Sequence, residues 1–115
     1  MDLDNAVAAH TQWKTKFRTA ISAKQTVDAA TIGKDNCCEL GKWLYGEGKL
    51  QLGGKPEFQA LIERHRGFHA EAGKVATLIN NKKYTEAETA LGATTPFGMA
   101  SAETGMAINR LKKVA

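Results

Sequence analysis

Apolar residues recur along this chain at intervals of three and four, the spacing that gathers them on one side of a helix. From residue 3 to about residue 28 the stripe reads Leu3, Ala6, Val7, His10, Trp13, Phe17, Ala20 and Ile21. Gln12, Lys14, Lys16, Arg18 and Lys24 fall mostly off it, so the segment predicts an amphipathic helix facing a core. Asp2 or Asp4 is placed to cap its start. Residues 29–36 then break the pattern with Thr31, Gly33, Asp35 and Asn36, a turn-like cluster. Asp35 or Asn36 is expected to cap a short helix from Cys37 to Tyr45, and Gly46, Gly48, Gly53 and Gly54 mark a loop after it.

Pro56 suits the first turn of a second long helix, where its missing N–H costs nothing. That helix is predicted over 56–81, with Phe58, Leu61, Ile62, His65, Phe68, His69, Ala72, Val75, Ala76, Leu78 and Ile79 on its inner face. Gly67 and Gly73 weaken it, each by about 1 kcal/mol relative to alanine. A close approach by another helix at both positions is the expected compensation. Thr85 with Glu88 has the spacing of a capping box, opening a short helix that Gly92 closes. Thr95 and Pro96 read as cap and first turn of a last helix, with Phe97, Ala100, Thr104, Ala107, Ile108 and Leu111 inward. No stretch sustains a period of two. The expected fold is all-α, an antiparallel four-helix-type bundle with an additional short helix around the cysteines.

Composition narrows the class. A length of 115 residues suits one domain spanning 1–115, and 43% apolar residues exclude a disordered tail. Apolar runs are far shorter than the roughly 20 residues a membrane span needs. The start, Met1-Asp2-Leu3-Asp4, has acids where a signal peptide has bases, so the expected location is the cytoplasm. Sixteen Lys and Arg against twelve Asp and Glu give a net charge of +4. The basic residues are scattered and lack interleaved aromatics, which argues for solvated helix faces over a nucleic-acid surface.

The candidate chemistry lies in the histidines and cysteines. All three histidines, His10, His65 and His69, sit on apolar stripes. A lone inward histidine is usually a core residue with one hydrogen bond. Three of three is different, because every buried ring must satisfy two nitrogens and a metal satisfies one on each at once. His65 and His69, four apart, share one helical face. Arg66 stands where the zinc-protease HExxH motif has its glutamate, so that motif's general base is missing. Cys37 and Cys38 are adjacent, and their Cα separation of about 3.8 Å is short for a relaxed disulfide. They read as free thiols, ligands or redox-active groups. One thiolate with three imidazoles completes a closed tetrahedral zinc set, the mark of a non-catalytic site.

Three segments carry a resemblance: His10-Thr-Gln-Trp13-Lys14, Cys38-Glu-Leu40-Gly41-Lys-Trp43-Leu44-Tyr45-Gly46 and His65-Arg-Gly-Phe68-His69. In order and spacing they are similar to the HxxWK, Cx[LF]GxWLY and HxxxH elements of the chemoreceptor zinc-binding domain family. The likeness extends along nearly the whole chain, including Phe97 to Leu111. It implies one zinc on His10, Cys38, His65 and His69, with Cys38 rather than Cys37 as ligand. Cys37 is then a packing residue or a spare thiol. Trp13, Trp43, Leu44 and Tyr45 are expected in the core, and Asp35 and Glu39 are candidates to support the ligands.

The resemblance further implies a homodimer attached to a chemoreceptor signalling module or a diguanylate cyclase, responding to zinc or to oxidants such as hypochlorous acid. Three readings follow. Cys38 is a redox-reactive thiolate whose oxidation is the signal; zinc occupancy itself is the signal; or the metal is purely structural in a dimerisation module. An enzyme or a di-iron carrier would need an open metal position with a base, or more inward carboxylates, than this chain supplies.

Overall fold

The computed structural model describes residues 1–115 and is all-helical, with seven helices and no strand. Three long helices, α1 (Leu3–Ala23), α5 (Pro56–Asn80) and α7 (Pro96–Val114), form the frame. Four short ones connect them: α2 (Ala29–Ile32), α3 (Glu39–Leu44), α4 (Glu47–Leu52) and α6 (Tyr84–Ala90). α5 packs along α7, and α1 lies against both.

The predicted caps form at the two outer helices. The Asp2 carboxylate accepts from the N–H groups of Asp4 and Asn5, and the Thr95 hydroxyl accepts from Gly98 N–H. α1 ends earlier than the periodicity suggests, on Lys24 in the left-handed conformation at φ 54°. Two stretches expected as turn and loop contain short helices. Residues 29–32 form α2, capped by Asp28, and 47–52 form α4. The expected capping box at Thr85 does not form; α6 starts at Tyr84 after Lys83, without a side-chain cap.

The apolar interior is two clusters rather than one. The first joins Phe17, Ile32, Phe68, Val75, Ile79, Leu91 and Phe97 among others. The second joins Ala6, Leu40, Leu44, Phe58, Leu61, Ile108 and Leu111. Each large side chain buried in them contributes about 1.5–3 kcal/mol. Between the clusters runs a polar layer. On α1 it falls at His10, between Ala6 and Phe17; on α5 it falls at His65, between Leu61 and Phe68. On α7 it falls at Thr104, whose buried hydroxyl donates to the carbonyl of Arg64 at 3.1 Å.

The remaining expected core residues divide. Leu44 is fully buried, Trp13 and Trp43 are half-buried, and Tyr45 is exposed. Tyr45 instead donates a hydrogen bond to the Asp35 carboxylate. Cys37 is also exposed, which leaves the spare thiol of its two expected readings. Of the two helical glycines, Gly73 does meet a neighbour: a Cβ there would lie 3.0 Å from Gly33 Cα. Gly67 faces open space, so no close approach compensates it. No helix is long and apolar enough to cross a membrane.

Candidate metal centre

Three elements bring four ligand-type side chains to one point. α1 supplies His10, α5 supplies His65 and His69 one turn apart, and Cys38 stands just ahead of α3. Their ligand atoms all lie within 4.8 Å of one another. His10 and His69 are almost fully buried, His65 completely, and Cys38 is half-buried.

Cys38 was expected inside a short helix capped by Asp35 or Asn36; it is itself the cap. Its backbone is extended, at φ −83° and ψ 164°, and its sulfur accepts from Gly41 N–H at 3.3 Å. The chain before it folds tightly over the first turn of α3. A Cβ on Gly41 would lie 1.7 Å from the Asp35 carbonyl oxygen, so only glycine fits there. This explains the glycine three residues after the cysteine in physical terms.

Two of the histidines are oriented by main-chain carbonyls. His10 Nδ1 lies 2.8 Å from the Ala6 carbonyl oxygen, one turn back on its own helix. His69 Nδ1 lies 2.8 Å from the carbonyl oxygen of Ile32, the last residue of α2. A carbonyl can only accept, so both Nδ1 atoms carry hydrogen. In a neutral ring each Nε2 then presents a lone pair. Burial keeps the rings neutral: it is the leading cause of a lowered pKa at His10, His65 and His69 alike. His65 is pushed down to about 3, by burial and then by the charges of His69 and His10.

The Nε2 atoms nevertheless point at one another. His65 Nε2 is 3.1 Å from that of His10 and 3.0 Å from that of His69. Cys38 Sγ is 3.2, 3.6 and 4.0 Å from the Nε2 atoms of His65, His69 and His10. One proton on His65 can serve only one neighbouring lone pair, and His65 Nδ1 is buried without any partner. A cation at the centre serves all the Nε2 lone pairs together. Tetrahedral zinc with N and S ligands implies edges of roughly 3.3 Å between nitrogens and roughly 3.6 Å between nitrogen and sulfur. The nitrogen–sulfur separations bracket their value, and the two nitrogen–nitrogen separations fall slightly below theirs. The donor set fits zinc.

The match with known families agrees. The sequence profile of the chemoreceptor zinc-binding domain family matches residues 10–76, more than half of the 115. The chain belongs to that family. It is a regulatory zinc-binding family rather than a catalytic one, and zinc is its metal. The matched span begins at His10 and encloses Cys38, His65 and His69. It ends before α6 and α7, so the expected extension of the likeness to Phe97–Leu111 is not part of it. No curated protein and no solved structure matches the chain.

The supporting groups differ from those expected. Neither Asp35 nor Glu39 bonds a ligand side chain; the Ala6 and Ile32 carbonyls do that work. Asp35 acts at longer range, its negative charge raising both the His69 and Cys38 pKa values. Nothing in the sequence pointed to Ile32, because a backbone carbonyl has no side-chain signature. At Cys38, burial pushes the thiol pKa up, while the N–H groups of Gly41 and Leu40 pull it down less strongly. The short helix alone therefore does not make a thiolate. A metal at the site supplies that stabilisation.

Proposed function

We propose that this chain is a zinc-binding regulatory domain of bacterial signalling, in which His10, Cys38, His65 and His69 hold one zinc ion and Cys38 receives an oxidant signal. The single observation supporting the ligand set is the convergence of buried, neutral Nε2 atoms that have no other way to satisfy one another. When bound, zinc keeps the Cys38 sulfur as a thiolate at neutral pH. The histidines hold and orient, and the apolar clusters on either side exclude water from them.

The thiolate is the one nucleophile in the set. Reaction with hypochlorous acid converts it to sulfenic acid and releases chloride, a two-electron oxidation of the sulfur. That sulfur is also the cap of α3. Its oxidation therefore removes a ligand and a helix cap in one event, freeing α3 and the loop before it. We assign the output to a chemoreceptor signalling module or a diguanylate cyclase in the cytoplasm, reached through a homodimer. The frame is read as an antiparallel four-helix type, with α2–α4 in the fourth place beside α1, α5 and α7. No catalytic role, nucleic-acid contact or membrane contact is assigned to the domain.

A zinc-level sensor is the second reading. It is favoured by one feature: His10 and His69 are held by carbonyls that need no metal. A site prepared this way stays folded when empty, and its occupancy can then report zinc. Metal analysis of the purified protein beside Cys38→Ala and His65→Ala tests the site. About one zinc per chain, lost in both variants, supports it; no zinc, or no loss, overturns it. Mass analysis of Cys38 after hypochlorous acid treatment separates the two signals, since an inert Cys38 leaves only the zinc-level reading.

A further inference from the structure

The metal centre is closed on the α5 side, where His65 and His69 are buried, yet it is open elsewhere. A cleft of about 210 Å³ lies between the start of α1 and the start of α3, and both His10 and Cys38 line it. None of the four other sizeable clefts touches any of the four ligands. The inner wall is apolar, with buried Ala6 and Leu40; the outer wall carries exposed Asp2 and Glu39.

The charge at this mouth opposes that of the molecule. The whole chain carries +4, but the cleft is lined by two carboxylates and, beyond the amino group of Met1, no cation. Neighbouring Asp4 is neutralised by Lys112 at 2.7 Å. Asp2 and Glu39 belong to none of the ion pairs in the molecule. A narrow, low-dielectric cleft concentrates the field of such charges and changes the arrival rate of small ions.

We infer that this cleft is the solvent port of the metal centre, and that Asp2 and Glu39 make it selective for cations and small neutral molecules over anions. The inference rests on the reading of Cys38 as the reactive ligand and deepens it. Zinc enters by the port as a favoured cation. Hypochlorous acid enters as the neutral acid, while its anion and anionic thiol reagents are held back.

The test uses paired methanethiosulfonate reagents, one with a trimethylammonium group and one with a sulfonate. In each, the Cys38 sulfur forms a disulfide with the reagent's sulfenyl sulfur, methanesulfinate leaves with the bonding electron pair, and any thiol proton passes to solvent. Cys37 is exposed and is first replaced, as Cys37→Ser, so that mass analysis scores Cys38 alone. Rates are normalised to those of a neutral cysteine peptide. At low salt the cationic reagent should be favoured by about tenfold. High salt should shrink that ratio.

Asp2→Asn with Glu39→Gln should bring the ratio to one or below, since only the Met1 amino group then charges the mouth; asparagine keeps the α1 cap, so charge is removed without loss of the helix start. Ala9→Trp, at an exposed position on the cleft wall, should slow both reagents. A ratio near one in the Cys37→Ser protein, a ratio unmoved by charge removal, or unchanged rates in Ala9→Trp each overturn the port. Labelling is read whether or not zinc is bound. A Cys38 that ignores hypochlorous acid while keeping the charge ratio sinks the oxidant-sensing reading and leaves the port standing.

Discussion

His69 Nδ1 donates to the Ile32 carbonyl oxygen across 2.8 Å, and this bond ties the metal site to the short helix α2. The contact depends on how closely α2 approaches α5. That closeness is set one turn beyond His69, at Gly73, whose Cβ would lie 3.0 Å from Gly33 Cα. Gly73→Leu should push α2 away, remove the bond that orients His69 and weaken zinc binding by about 10–100-fold. Gly67→Leu, on the same helix but facing open space, should leave affinity unchanged. Competition with a chromophoric chelator measures both. Equal affinities in the two variants would show that the Ile32 carbonyl does not matter.

Cys38 has two tasks that substitution can separate. Its sulfur is offered to the metal and also accepts the Gly41 N–H as the cap of α3. Serine is a good helix cap but a poor zinc ligand at neutral pH, whereas alanine is neither. Cys38→Ser and Cys38→Ala should both lose zinc. In the metal-free state Cys38→Ala should be less stable than Cys38→Ser, by about 1 kcal/mol. Cys37→Ser should keep its zinc, since that thiol is exposed and outside the ligand group. Metal content and urea midpoints of the three proteins check this.

The sequence made the site legible through its side chains and left its scaffold unread. His10, His65 and His69 were visible because each interrupts an apolar stripe, and the stripes cannot be buried without burying them. Choosing Cys38 over Cys37 needed the segment from Cys38 to Gly46, since adjacency alone gives no direction. What stayed hidden acts through the backbone. The Ile32 carbonyl, the extended conformation at Cys38 and the close contact of Gly33 with Gly73 depend on where loops return in space. Helices α2 and α4, of four and six residues, are too short for periodicity to distinguish them from turns. The Thr85–Glu88 spacing pointed to a cap that does not form, because the cap position falls two residues earlier, at Lys83, and Thr85 lies inside α6.

Asn80 shows the same limit and yields a prediction. It reads from sequence as the end of a helix, but its side chain clamps the connection between α1 and α2. Its Oδ1 accepts from Val27 N–H and its Nδ2 donates to the Val27 carbonyl, both at 2.8 Å. Asn80→Ala leaves both partly buried backbone groups without that partner. The expected loss is about 1–3 kcal/mol in unfolding free energy. Asn81→Ala, at the exposed neighbour, should cost far less. Urea unfolding of the metal-free proteins compares them, and equal losses would remove the clamp from the account.

The buried rings also fix how the metal-free protein responds to acid. His10, His65 and His69 all have pKa values lowered from 6.5, first by burial, with His65 at about 3. Below pH 6.5 the unfolded chain takes up protons on these rings that the folded chain refuses. Their contribution to stability is therefore fully present above about pH 6.5 and is lost progressively as pH falls towards the folded values. Cys38 shifts the other way, its thiol raised by burial and thus protonated at neutral pH. Zinc uptake near pH 7.5 must then displace one thiol proton and almost none from the histidines. Calorimetric titration in two buffers of different ionisation enthalpy should count about one proton released per zinc. A count near zero in the native protein would mean that Cys38 is either already a thiolate or not a ligand, and zinc content in Cys38→Ala separates those two cases.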